Sequence, residues 1–384
     1  MDSDSLPIRI SNPRRLGGWR IPAERIPLGI AGDYKPKLVL LPNGELLLFA
    51  FCCLGVESEG TYHEPTLIYR SQDGGASWSE RAVAEDIVGR EHGLTCTSDG
   101  TLFCSTHLIA VDKRNRDGVS HSYLHRSTDG GESWQATKLS LDAKRFTGAS
   151  STVVELGDGR LLFGVSVGEA DAHFLWESHD GGLNWDRSAQ VRLGKYHGES
   201  YENSVGFFTE DFTFQISSGK WLHWIRLSSH SSIYPMNDGR IAPGKDDDQT
   251  DRMLLCESSD HGATWSDFVD FGDYGMLYPR VIRLHDGRLL MTYTQRSLAY
   301  PLGLRAVLSE DDGESWDFES DRIIIEGKTP WGLPSGGGFG NTVQLTDENL
   351  VSCYSYRGAD DLTHVEIVRW SLQAPGAGQF EEKN

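Results

Sequence analysis

Two sets of side chains, found by counting back a fixed distance from a recurring turn, carry the chemical possibilities of this chain. Nine positions before the glycine of each turn, or before Glu348 in the last one, stand Lys35, Glu91, Ser150, Glu210, Tyr278 and Phe339. Seven positions before it stand Lys37, Gly93, Thr152, Phe212, Arg280 and Asn341. Cations, carboxylates and a phenol gathered at one place can bind an anion and move protons. Burying them is costly unless they pair with one another or with a ligand, and a purely structural salt-bridge network would draw on the same residue types.

Histidines add a different possibility. Arg90-Glu91-His92-Gly93 opens the second unit, His107 stands at the offset that Arg226 holds in the fourth, and Tyr196, His197, Tyr201 and Glu202 precede Glu210. A cation to neutralise a carboxylate, with His92, His107 or Tyr278 to transfer the proton, is the set that elimination from a uronate requires. A lyase for a uronate-containing glycan is therefore one alternative.

The elements that must position these residues are repeats. Ser71–Trp78, Ser127–Trp134, Ser178–Trp185, Ser258–Trp265 and Ser309–Trp316 all read S-x-D-x-G-x-[S/T/N]-W, at intervals of 56, 51, 80 and 51 residues. Aspartate accepts hydrogen bonds from backbone N–H groups ahead of it, glycine takes a positive φ, and tryptophan covers the corner. These boxes predict hairpins at blade rims, away from the chemistry. Between them run six turns, at Gly44, Gly100, Gly159, Gly219, Gly287 and Glu348, each flanked by β-rich apolar runs. Six turns predict an all-β, six-bladed β-propeller, in which residues at one offset from each turn converge on the axis. A single domain over 1–384 is expected, with insertions at about 186–208 and 228–251 roofing the pocket through Tyr196, His197, Tyr201, His230 and Tyr234. Pairing of Ile8–Ile10 with the last blade is expected to close the ring.

Composition narrows the partners. A formal charge of −20 argues against nucleic acid, so any anion site must be local. Neither an apolar run long enough to span a membrane nor a signal peptide is visible, and a cytoplasmic location is the expectation. Cys52, Cys53, Cys96, Cys104, Cys256 and Cys353 lack metal-ligand spacing and read as buried thiols. No cofactor or metal is expected: counted as a calcium loop from Asp246, the acidic run puts Asp251 where the sharp turn needs glycine, and it reads as a solvated loop.

With these motifs in place the chain resembles the sialidase (neuraminidase) superfamily. Glu210, the turn glycine Gly219 nine residues on and Arg226 sixteen residues on are similar to that family's fourth blade. The resemblance implies that Glu210 assists a nucleophilic tyrosine and that Arg226 helps clamp a substrate carboxylate, with Lys35 standing where the family's first arginine is expected. Arg20-Ile21-Pro22 lies too far from the Gly44 turn for that role. A third clamp is open among Arg280, Arg296 and Arg305. The place of the family's tyrosine falls on Phe339, which cannot attack an anomeric carbon, so Tyr278 is the substitute phenol or Glu91 and Glu210 form a carboxylate pair. The family's acidic aspartate follows the first inner strand, where this chain offers Glu57, Glu59 and Glu64; Glu91 is the expected acid. The implied function is an exo-glycosidase releasing a terminal acidic sugar, with Lys35, Lys37, Arg226 and Arg280 on its carboxylate. A non-catalytic glycan-binding propeller is the other alternative.

Overall fold

The computed structural model describes residues 19–21, 23–52, 56–58, 61–139, 147–148, 151–167, 172–192, 195–196, 199–200, 207–228, 251–272, 275–296, 303–326, 338–358, 360 and 362–372. Its strands form six blade sheets, each with its four strands in antiparallel order from the axis outward. Blade one is Asp33–Leu40, Leu46–Cys52, Thr66–Ser71 and Ala82–Val83. Blade two is Arg90–Cys96, Leu102–Leu108, His121–Ser127 and Gln135–Lys138. In blade three the inner strand is split into Thr147–Gly148 and Val154–Glu155, followed by Leu161–Val167, Ala172–Ser178 and Asp186–Arg192. Blade four is Phe207–Gln215, Trp221–Ser228, Arg252–Ser258 and Val269–Asp270. Blade five is Met276–Arg283, Leu289–Gln295, Gly303–Ser309 and Arg322–Glu326. Blade six takes Thr342–Gln344, Asn349–Arg357 and Thr363–Ser371 from the end of the chain and Ala23–Leu28 from its beginning.

That last pairing closes the ring and corrects the expectation for Ile8–Ile10, which lies outside the described residues. Ala23–Leu28 runs antiparallel to the final strand with Ile26 opposite Ile367, and Arg25 pairs with Glu366 at 2.5 Å. Just upstream, Trp19–Arg20 lies parallel to the outer strand of blade five, and Ile21 is buried between blades five and six. The segment thus bridges both blades. A second correction concerns the expected insertion from 186, since Asp186–Arg192 is the outer strand of blade three.

The core consists of six wedges, one between each pair of adjacent blades. Between blades six and one Leu38, Leu46 and Leu48 meet Val351, Cys353 and Ile367, and between four and five Trp224 and Leu255 meet Leu289 and Met291. Burial of this kind contributes about 25 cal/mol per Å² of apolar surface, and its repetition around the ring explains why the second strands, such as Leu46–Cys52, Leu102–Leu108 and Leu289–Gln295, are buried along almost their whole length.

All five Asp-boxes join the third strand of a blade to the outer strand. In the first, Ser71 Oγ accepts from Gly75 N at 2.9 Å and donates to Asp73 at 2.9 Å, while Asp73 accepts from Ser77 N at 2.9 Å. The box tryptophan turns its ring toward the preceding blade: Trp134 lies 5.4 Å from Phe49, and Trp316 lies 6.4 Å from Trp224. The boxes are inter-blade fasteners at the rim, as the motif implies. The five described cysteines, Cys52, Cys96, Cys104, Cys256 and Cys353, are free thiols.

Candidate active site

The side chains expected nine positions before each turn converge because the backbone is bent at each of them. Lys35, Glu91, Glu210, Tyr278 and Phe339 all have positive φ, between 48° and 65°. In four of these blades the pairing of the inner strand slips by a bulge beside that residue. A left-handed conformation costs a non-glycine residue roughly 1–2 kcal/mol, and a bulge re-aims a side chain out of the regular pleat. Among the described residues seven non-glycines have positive φ, and the other two, His261 and Asp312, belong to Asp-boxes. Strain outside the boxes is therefore concentrated on this ring. Ser150, the remaining expected member, lies outside the described residues. Gly340 secures Phe339, since a Cβ there would collide with the Cys353 carbonyl.

The ring holds an alternating chain of charges. Glu64 meets Arg90 at 3.1 Å, Arg90 meets Glu91 at 3.3 Å, and Glu91 meets Lys35 at 2.8 Å. Lys35 continues to Glu210 at 3.1 Å, Glu210 to Arg226 at 2.7 Å, and Arg226 to Asp251 at 2.6 Å. Each cation stands between two carboxylates. Burial disfavours the ionised form of Glu210, but Lys35 and Arg226 outweigh it and hold the carboxyl at about 2. Burial is likewise overcome at Glu91, which Lys35 and Arg90 hold below its ordinary range, and at Lys35, which Glu91 and Glu210 raise above its own. Glu64 behaves oppositely, because burial lifts its carboxyl above the usual value against the pull of Arg90.

Aromatic rings line the other side. Phe339 carries Lys35 Nζ 4.0 Å and the Arg296 guanidinium carbon 4.4 Å from its centroid. The Tyr278 ring stands edge-on to Phe339 with centroids 4.9 Å apart. Lys37 Nζ and the Arg280 guanidinium carbon each lie 4.1 Å from the Tyr278 centroid. Burial raises the Tyr278 phenol to about 12 despite the opposing influence of Arg280. Burial and Arg280 push Lys37 well below its ordinary value, and its ammonium nitrogen donates to the Phe339 carbonyl at 2.6 Å.

Not every expected residue joins the ring. His92 is fully buried between blades one and two, bonded to Thr66 Oγ1 at 2.8 Å and edge-on to Phe49 and Phe51, and burial lowers it to about 3. It is a core histidine. His107 lies beside the charge chain, opposite Arg90 in the strand register, and burial lowers it to about 4. Arg305 is wholly buried in blade five, where it pairs with Asp321, so it cannot clamp a ligand at the mouth. Arg280 lies between the rings of Tyr278 and Phe212 and faces the channel beneath the ring. Of the three blade-five arginines, Arg280 packs on the Tyr278 ring and Arg296 on the Phe339 ring. His197, Tyr201, His230 and Tyr234 lie outside the described residues. Asp251, expected in a solvated loop, is instead buried under Arg226.

Residues 30–291 match the BNR repeat-like domain. The chain belongs to the BNR repeat-like family. Within it, this BNR repeat-like protein is 24% identical over 231 residues to a sialidase of Paraclostridium sordellii, an alignment covering 56% of this chain and 55% of that one. It spans only about a third and about half of the length of the curated relatives it matches. Among solved structures it resembles a protein of unknown function from Dyadobacter fermentans, with a TM-score of 0.69, 20% identity, and 91% and 98% of the two chains covered. It also resembles the NanB sialidase of Streptococcus pneumoniae, with a TM-score of 0.63, 12% identity, and 90% and 70% covered. The fold of this BNR repeat-like protein is the sialidase-type six-bladed propeller.

Among the described residues no cluster of three or more histidine, cysteine or acidic side chains is arranged to hold a metal. Sequence reasoning reached Lys35, Glu91, Glu210, Tyr278 and Arg226. It passed over Arg90 as a partner, named Glu64 only as one of three acids after the first inner strand, and read Asp251 as part of a solvated loop; neither spacing pointed to the charge chain that the blades assemble.

Proposed function

We propose that this protein is a glycoside hydrolase that releases a terminal acidic sugar, of sialic-acid or related ulosonic-acid type, at the ring mouth. One observation carries the reading: Lys35, Arg226 and Arg296, from blades one, four and five, gather around the Glu210 carboxylate and the Phe339 ring. Three cations at one spot suit a sugar carboxylate, and a guanidinium fork orients it. Tyr278 attacks the anomeric carbon as its phenolic proton passes to Glu210, and the leaving oxygen takes a proton from Glu64. Water, giving its proton to the Glu64 carboxylate, then attacks the anomeric carbon, and the departing Tyr278 oxygen takes back its proton from Glu210. A phenol avoids the repulsion that a carboxylate nucleophile meets from an anionic substrate. At about 12 the phenol is protonated at neutral pH, so the ionised Glu210 is needed as its base.

The Lys35 ammonium favours a second reading. It holds Glu91 and Glu210 at 2.8 and 3.1 Å, which puts their nearest oxygens within about 6 Å of each other, near the separation of about 5–5.5 Å used by retaining carboxylate pairs. In that reading Glu210 attacks directly and the substrate is a neutral sugar. Incubation with aryl sialosides, neutral aryl glycosides and uronate oligosaccharides separates the cases. The first reading expects free acidic sugar carrying one added water. Release from neutral glycosides alone supports the second, an absorbing unsaturated product establishes a lyase, and binding without turnover leaves a glycan-binding propeller.

A further inference from the structure

We infer that the central channel beneath the ring is a second binding site, for a small monocarboxylate with an apolar body, seated on Arg280. The proposal is independent of the mouth chemistry.

The inner strands of all six blades enclose a cavity of about 400 Å³ that runs from Arg280 down to His285 and Gln344 beside the inner turns. Its lining shares no residue with the Lys35, Glu91, Glu210, Tyr278 and Phe339 ring. Arg280 is only 4% exposed, its Nη1 donates to the carbonyl of the adjacent Pro279 at 2.7 Å, and among the described residues neither Nε nor Nη2 has a hydrogen-bond partner. A buried guanidinium with donors unused is costly unless something accepts from it. Among the described residues no carboxylate lines the cavity. Arg283 at the rim is already engaged by Asp312 at 2.5 Å. The nearest cation, Lys37, is turned to the Phe339 carbonyl and repels Arg280 when charged.

The remaining wall decides the ligand class. Leu38, Leu94, Phe212, Phe214, Ile282 and Val343 form its apolar part, beside polar side chains that include Thr95, Thr152 and Asn341, and Phe212 presents its ring 5.1 Å from the Arg280 guanidinium. An inorganic anion would satisfy the arginine and leave these walls wet, whereas a carboxylate on an aromatic or aliphatic body satisfies both. The volume lies within the range of about 300–1,000 Å³ typical of small-molecule sites.

The test is fluorine NMR of the whole protein with para-fluorobenzoate, and para-fluorobenzamide as the uncharged control. The expected result is saturable binding of the acid but not the amide, retained in Glu210→Gln at the mouth and weakened about tenfold or more in Arg280→Met. Thr95→Trp, which narrows the channel from a half-exposed wall position, gives the same loss if Arg280→Met does not fold. Absence of a saturable shift would mean that the channel holds water only and would overturn the proposal. Equal binding of the amide, or loss of binding in Glu210→Gln with Arg280→Met unaffected, would overturn it as well.

Discussion

Tyr278 of blade five stands edge-on to Phe339 of blade six, ring centroids 4.9 Å apart and planes 73° from one another. The sialidase pattern asks for a phenol at Phe339, and the neighbouring blade brings one beside it on the same strained backbone position. The exchange predicts an outcome. Tyr278→Phe should lower kcat on an activated acidic aryl glycoside by about a thousandfold, the scale expected when a nucleophile is lost, with little change in thermal midpoint. Phe339→Tyr in that background should restore part of the rate.

Lys35 neutralises two carboxylates at once. Its replacement in Lys35→Met leaves the buried Glu210 beside the part-buried Glu91, and removal of one partner from a buried ion pair costs about 3–5 kcal/mol, measurable by urea denaturation at pH 7. The sign of the pH effect follows from depressed carboxylate values. In the parent protein this stabilisation is present above the ordinary range near 4.5 and is lost as pH falls through about 2. The gap between parent and variant should therefore close on acidification.

The Asp-boxes make a separate acid-labile set. Hydrogen bonds from box serines, threonine, asparagine and backbone N–H groups hold Asp73, Asp180 and Asp260 at about 2, and Asp129 lies lower still. Folded values below the ordinary 3.8 mean stability that is present above that pH and disappears between about 4 and 2. The thermal midpoint should fall through this window, and Asp129→Asn should lower it at neutral pH while flattening the acid dependence.

Arg296 and Arg305 should part company in kinetics. Arg296→Ala should raise KM for an acidic substrate about tenfold or more, the loss of one charge-assisted contact, and lower stability only by the packing it loses on the Phe339 ring. Arg305→Met strands Asp321 in the blade-five interior. It should cost about 3–5 kcal/mol with KM unaltered in the folded protein.

Fold and ring were legible because both are periodic. The boxes and turns report each blade locally, and a fixed offset from the turns leads to Lys35, Glu91, Glu210, Tyr278 and Phe339 without any knowledge of contacts. The partners were not legible. Glu64, Arg90 and Asp251 sit at no common offset, and only the meeting of blades one, two and four joins them into one chain of charge. Arg305 illustrates the reverse error, since its spacing before a box is compatible with a clamp while its strand position faces the packed interior. Ring closure was hard to place because the closing strand, Ala23–Leu28, includes a proline and has two charged residues in its six, Glu24 and Arg25.

The most direct test of the central claim is covalent trapping with an activated fluorinated glycoside of a ulosonic acid, followed by peptide mapping by mass spectrometry. The account predicts one sugar bound per chain, on the peptide that carries Tyr278. A label on Glu210 or Glu91, or an unlabelled protein after prolonged incubation, would contradict it.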